Sequence, residues 1–241
     1  MRACCWRKSG CVHTLKAVFF DLDNTLYDAR DYYASAFHEI AVFISSAYGI
    51  SEGKINETLW NTLQNKGTLY SKLFDEVLAS LGIDDPDCVG RLVDMFHNAP
   101  TSSIKLYQDA GVVLPRLASK YKLGLITNGN SEMQRRKVEA LGLSSFLQVQ
   151  VYTDEVGQAK PSVLGYQQAV QIANVNPEES MYVGDNPCVD FIGAKKIGMY
   201  TVRILRGEFA KVDVNTDFID AEVRDLCKLE KLLASLTSMR G

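Results

Sequence analysis

Short apolar runs recur along the chain, each closed by polar or turn-forming residues. Leu15 to Phe20 (LKAVFF) comes first, followed by Leu123 to Ile126, Val149 to Thr153, Met181 to Val183 and Met199 to Leu205. Runs this short, rich in β-formers and without polar alternation, predict strands buried on both faces. Helical patterns lie between them. Ser131 with Gln134 forms a capping-box signature for a helix to about Leu141, stopped by Gly142. Pro161 at a first helical position opens a second helix through Ile172, and Ala194 to Ile197 ends a third at Gly198. Strand alternating with helix predicts an α/β fold built on a doubly wound parallel sheet.

Roughly a hundred residues separate the first two strands, where a simple crossover needs about a dozen. Within that stretch Tyr33, Phe37, Ile40, Ile44 and Ala47 recur at helical spacing up to Gly49, and Phe74, Val77, Leu78 and Leu81 do so up to Gly82. An inserted, all-helical subdomain is therefore expected. The predicted organisation is a tail over 1–14, an α/β core of 15–27 and 104–241, and a helical insertion over 28–103. A helix from about Gln108 to Tyr121 leads back to the sheet, and Leu226, Leu229, Leu233 and Leu236 predict a last helix that covers it.

Composition narrows the function classes. The 241 residues are 46% apolar and 23% charged, which suits a globular chain with a sizeable core. Lys and Arg number 26 against 29 Asp and Glu, so the net charge of −3 supplies no general field for nucleic acid or an anionic membrane. No apolar stretch is long enough to span a membrane, and Met1 to Thr14 lacks the apolar region of a secretory signal, so a cytoplasmic location is expected. The six cysteines contain no CxxC pair. Cys4, Cys5 and Cys11 with His13 lack zinc-site spacing and read as an unpacked tail, whereas Cys88, Cys188 and Cys227 read as reduced thiols. No heptad seam is present; a monomer is the default and a homodimer the alternative.

In open α/β sheets the site lies beyond the carboxyl ends of the strands. The first run ends in Asp21-Leu22-Asp23-Asn24-Thr25, the second in Thr127-Asn128-Gly129, and Lys160-Pro161 follows the third. The fourth ends in Gly184-Asp185, with Asp190 five residues on. Asp21 and Asp23 facing Asp185 in a dry crevice would repel, and such a cluster calls for a cation; all-oxygen ligation near water suits Mg2+. Lys160 and Thr127 would then hold the oxygens of a transferring phosphoryl group. Singly, each of these residues is an ordinary cap, turn or solvated charge, and their joint arrival at successive strand ends is what argues for a site.

Phe20 to Leu26 (FDLDNTL) resembles the first motif of the haloacid dehalogenase-like hydrolase superfamily. Leu125 to Gly129 resembles its second motif, Ala159-Lys160-Pro161 its third, and Val183-Gly184-Asp185 with Asp190 its fourth, in family order over about Leu15 to Leu236. The helical insertion is similar to that of the subclass with a small helical cap after the first strand. The resemblance implies a Rossmann-like, three-layer core and a Mg2+-dependent phosphatase. Asp21 would be the nucleophile that forms an aspartyl-phosphate and places one oxygen on Mg2+. Asp23 would be the general acid and then the base, with its backbone carbonyl on the metal. Thr127 and the backbone N–H of Asn128 would bind phosphoryl oxygens, Lys160 would steady Asp21 and the phosphoryl charge, Asp185 would ligate Mg2+ and Asp190 would act behind it.

Among related chemistries Asp23 discriminates best, because the family's dehalogenases lack an acid two residues after the nucleophile. Hydrolysis of a small phosphorylated metabolite (sugar phosphate, nucleotide or phosphoglycolate) is the leading expectation. A sugar-phosphate phosphomutase on the same apparatus and a catalytically silent binding module are the alternatives. Tyr27, Tyr32, Tyr33, Trp60 and Tyr70 read either as cap core or as a stacking surface for a leaving group.

Overall fold

The computed structural model describes residues 14–213 and 216–238, so the cysteine-rich stretch before Thr14 lies outside the described residues. The chain divides into two compact units, residues 1–28 with 105–241 and residues 29–104. Each seam falls one residue later than the sequence suggests.

The first unit is built on a parallel sheet. Its strands are β1 (Ala17–Phe20), β2 (Lys122–Thr127), β3 (Val149–Tyr152), β4 (Ser180–Gly184), β5 (Tyr200–Ile204) and β6 (Ala221–Val223), in the spatial order β3-β2-β1-β4-β5-β6. Every pairing is parallel, and Phe20 lies opposite both Leu125 and Val183. The chain lays β2 and β3 down on one side of β1 and then crosses to place β4 on the other. That reversal makes a crevice at the carboxyl ends of β1 and β4. The apolar runs are buried on both faces as the lack of alternation predicts; β1 is fully buried at all four positions. One face packs Phe19, Ile126, Val151, Tyr166, Tyr182 and Phe191 into a shared cluster.

The helices of this unit depart from the sequence reading in instructive ways. In the helix Ser131–Ala140 the cap is Asn130, whose Oδ1 accepts from Met133 N at 2.9 Å, and Gln134 is buried instead of closing a capping box. Pro161 precedes rather than opens the helix Leu164–Ala173. The helix Gln108–Ala118 ends short of Tyr121, and β6 is a strand too brief for a hydrophobic pattern to signal. The helix Leu226–Ser238 buries Leu226, Leu229 and Leu233 and bridges to the Gln108–Ala118 helix through Glu230 and Arg116 at 3.0 Å.

The second unit is all helical: α1 (Ala29–Tyr48), α2 (Glu52–Lys66), α3 (Leu73–Leu81) and α4 (Pro86–His97). Phe37, Ile40, Ile44, Leu59, Val77 and Leu92 form its core. Gly82 closes α3 in the left-handed conformation, and Asp85 caps α4 by accepting from Asp87 and Cys88 N–H groups ahead of Pro86. Tyr32 is fully buried with its hydroxyl on Phe96 O at 2.6 Å, and Tyr33 and Trp60 meet Phe37 edge-on. These aromatics belong to the core of the helical unit. Tyr27 does not; it lies in the α/β unit, on the loop after β1. Among the described residues no helix is long and apolar enough to cross a membrane.

Candidate active site

The loop after β1 is wound tightly. Asp21 N–H extends the ladder to Val183 O at 2.9 Å, then Thr25 and Leu26 N–H groups turn back onto Leu22 O, with Asn24 in the left-handed region (φ 57°). Arg206, after β5, donates to Thr25 O at 2.9 Å and pairs with Asp109 at the start of the Gln108–Ala118 helix. These contacts fix the two aspartates two residues apart at the crevice.

Lys160 is the hub. Its Nζ donates to Asp21 Oδ1 (2.6 Å), Asp190 Oδ1 (2.7 Å) and the Tyr182 hydroxyl (2.8 Å), and the lysine is buried. Burial favours the neutral amine, but Asp190 and Asp21 outweigh it and hold the pKa above the ordinary lysine value. Asn128 positions the segment that carries Lys160: its Oδ1 accepts from Lys160 N–H and from the Thr153 hydroxyl, both at 2.8 Å, and its Nδ2 donates to Lys160 O at 3.2 Å. The side chain of Asn128 is thus a brace between strand ends, and only its backbone N–H is left for the anion-binding role expected of it.

Asp190 is held on every side. Besides Lys160, its Oδ1 takes the Tyr182 hydroxyl at 3.1 Å, its Oδ2 takes Asn186 N–H at 2.9 Å, and its carbonyl takes the Tyr166 hydroxyl at 2.7 Å. Gly184 makes room for this carboxyl, since a Cβ there would come within 2.6 Å of Asp190 Cγ. Gly184→Ala is therefore expected to displace Asp190 and cost about 2 kcal/mol of stability. Urea denaturation reads this as a lower midpoint, and an unchanged midpoint would mean that the Asp190 carboxyl yields freely.

Asp21, Asp185 and Asp190 each offer an oxygen within 4.8 Å of the others. With Lys160 as the ammonium among them, three carboxylates leave two negative charges uncompensated. Burial, together with Asp190 and Asp23, pushes Asp21 up to about 7 against the pull of Lys160. Burial, then Asp190 and Asp21, push Asp185 well above the usual carboxylate range. Among the described residues, Asp185 Oδ2 is buried without a hydrogen-bond partner. Such an orphaned oxygen in an all-oxygen, over-charged cluster fits a hard divalent cation such as Mg2+.

The Asp23 carboxylate lies outside that trio, where the sequence grouped it with Asp21 and Asp185. It has its own cation: Lys137 Nζ reaches Oδ1 at 2.9 Å, the Tyr27 hydroxyl donates to the same oxygen, and Gln134 Nε2 reaches Oδ2 at 2.8 Å. Burial raises the pKa of Asp23, yet Lys137 and the donors from Tyr27 and Gln134 prevail and hold it below the ordinary value. Thr127 also joins the group, with its hydroxyl 2.9 Å from Gln134 Nε2. Gln134 (read as a capping-box residue), Lys137 (not read), Tyr27 (read as cap core or a stacking surface) and Tyr182 (not read) were not placed at this carboxylate or its lysine by the sequence. A signal existed for the first two: Met133, Val138 and Leu141 mark the buried stripe of their helix, and positions 134 and 137 fall inside it.

Comparison with known proteins points the same way. Residues 18–204 match the family model for haloacid dehalogenase-like hydrolases. A glyceraldehyde 3-phosphate phosphatase of Methanocaldococcus jannaschii is 29% identical over 225 residues, covering 92% of this chain and 98% of that protein. Its namesake from Methanopyrus kandleri is 32% identical over 208 residues, covering 84% and 89%. The crystal structure of a HAD phosphatase from Thermococcus onnurineus superposes with a TM-score of 0.66 at 25% identity, over 91% of this chain and 98% of that one. The family match runs from β1 to the end of β5 and takes in every acid and the lysine gathered at the crevice. This chain belongs to the haloacid dehalogenase-like hydrolase family.

Proposed function

We propose that this chain hydrolyses a short sugar phosphate through an aspartyl-phosphate on Asp21, with Mg2+ held by Asp21, Asp185 and the backbone carbonyl of Asp23. The coarser statement, a phosphatase of small phosphorylated metabolites, follows from the family and from its relatives. The observation that carries the placement of nucleophile, metal and acid is the partition of charge at the crevice. Asp21 and the orphaned oxygen of Asp185 sit in a cluster short of positive charge, while Asp23 is separately neutralised by Lys137.

That partition assigns the work. Asp21 attacks phosphorus, and Lys160, touching both Asp21 and Asp190, keeps the attacking carboxylate oriented and offsets charge on the transferring group. Mg2+ when bound would neutralise phosphoryl and carboxylate charge as a Lewis acid. The Thr127 hydroxyl and the Asn128 N–H would receive phosphoryl oxygens. Asp23, ionised in the free site, takes up a proton as the phosphoryl dianion arrives beside it, gives that proton to the leaving alkoxide and then takes one from the attacking water. An acid at this position serves an alcohol leaving group and has no task in releasing halide. Sugar phosphate is preferred over nucleotide because the relatives are named for glyceraldehyde 3-phosphate. Such a metabolite is met in the cytoplasm, which this reading takes as the location.

Phosphate release tests this. After chelation turnover should vanish and return with Mg2+, and among glyceraldehyde 3-phosphate, a pyrimidine nucleoside monophosphate and phosphoglycolate the first should show the highest kcat/KM. A higher value for the nucleotide replaces the sugar assignment. No release from any of them removes hydrolysis itself.

A further inference from the structure

The helix Ser131–Ala140 buries only Met133, Gln134, Lys137 and Val138. An amide and an ammonium on the buried side of a helix are costly unless paired, and an aliphatic side chain would pack there without that cost. Gln134 and Lys137 stand three residues apart, hence on one face, and both end on the same carboxylate. Which end of the Gln134 amide faces Asp23 is fixed by its neighbours. Nε2 lies 2.8 Å from Asp23 Oδ2 and 2.8 Å from Asn128 O, and a carboxylate and a carbonyl both require a donor.

The two oxygens of Asp23 are left unequal. Among the described residues, Oδ1 receives the Lys137 ammonium and the Tyr27 hydroxyl, whereas Oδ2 receives Gln134 alone. The side chain as a whole is 33% exposed. A proton on Oδ1 would displace an ammonium or a hydroxyl donor; a proton on Oδ2 leaves both in place and still lets Gln134 donate to the second lone pair. We propose that Gln134 and Lys137 are positioning residues for proton transfer, pinning Asp23 so that Oδ2 is the oxygen that exchanges the proton. The inference rests on Asp23 being the acid and base of the reaction above.

The steps balance on that oxygen. As an Asp21 oxygen bonds to phosphorus and the bond to the leaving oxygen breaks, the Oδ2 proton passes to the departing alkoxide. Water then adds to phosphorus, its proton goes to Oδ2, and the bond to Asp21 breaks to release phosphate and restore protonated Asp23. Because Gln134 also lies 2.9 Å from the Thr127 hydroxyl, one side chain ties the proton carrier to a residue assigned to phosphoryl binding.

The test compares an alkyl phosphomonoester, whose leaving group needs the proton, with p-nitrophenyl phosphate, whose leaving group does not. In the full-length protein with Mg2+, Lys137→Met and Gln134→Met should each lower the single-turnover rate of leaving-group release, the step before water attacks the shared aspartyl-phosphate, by about a hundredfold for the alkyl ester and by less than about threefold for the nitrophenyl ester, with KM little changed. Lys137→Arg, which keeps a cation, should recover most of the loss. Equal losses on the two esters, or losses in KM alone, would overturn the inference. If Lys137→Met does not fold, Gln134→Met decides by the same ratio, because it leaves the Lys137–Asp23 ion pair intact. Asp23→Asn separates this inference from the reading beneath it. A loss of single-turnover leaving-group release concentrated on the alkyl ester keeps Asp23 as the acid whatever the neighbours do, and equal loss in that step removes the acid role and the positioning role with it.

Discussion

Asp21→Asn should lower phosphate release by at least about four orders of magnitude, the scale seen when an enzyme loses its nucleophile. The replacement is nearly isosteric, and its carbonyl oxygen still accepts from Lys160, so the 2.6 Å contact that anchors the hub survives. What disappears is the negative oxygen able to attack phosphorus. Rapid acid quench during turnover should trap phosphorylated protein with the native chain and none with the variant. Turnover within tenfold of native would place the attack on another group, and phosphoenzyme in the variant would do the same. Since Asp21 and Asp190 repel across Lys160, the amide also removes one like charge, so loss of activity should not be accompanied by loss of fold.

Lys160→Met should be the most damaging change in the α/β unit to stability and activity together. The side chain is buried and is the ammonium that meets both Asp21 and Asp190. Methionine fills similar volume, so packing is largely kept. The variant instead strands the acidic cluster without its internal cation, a defect of about 3–5 kcal/mol for a broken buried pair. For a chain of this size that corresponds to a fall in Tm of about 10 °C. The fall should be larger in chelator than in excess Mg2+, because a bound divalent cation would supply part of the missing charge. Turnover should drop about a thousandfold even where the variant is folded. A Tm within 2 °C of native in chelator would show that the carboxyls accommodate one another by protonation, and that the lysine is dispensable to the fold.

Much of this arrangement was legible because apolar runs end where strands end. Each acid that matters follows such a run, and Lys160 follows the third. The long interval before the second run likewise announced an insertion. What was not legible has particular causes. Helix α2 buries Ile55, Leu59 and Leu63 among many polar neighbours, α4 buries only Cys88 and Leu92, and β6 has three residues. None reaches the length or contrast at which periodicity speaks. Pro161 misled because proline is compatible with a turn as well as with a first helical position. The misreading of Gln134 goes deeper. A capping box and a buried polar contact call on the same residue type, and only tertiary contact with Asp23 and Thr127 separates them. Asp23 itself carried a similar ambiguity, for the cation that pairs with its carboxylate is a lysine 114 positions away in sequence.

The strand order has a consequence for how the chain acquires its structure during synthesis. β1 leaves the ribosome first yet occupies an interior place in the sheet, between β2 and β4. Its register partners for Phe20 are Leu125 and Val183, so it must wait for more than a hundred residues before the first neighbour exists and for many more before the second. The helical unit, residues 29–104, is emerging throughout that interval and draws its core from nearby segments. Local contacts form fast and distant ones slowly, so this unit can be folded while β1 is still an unpaired apolar strand. Asp21 is therefore among the earliest of the reactive residues to be made, and it acquires its lysine only after the polypeptide has been extended to the third strand and beyond.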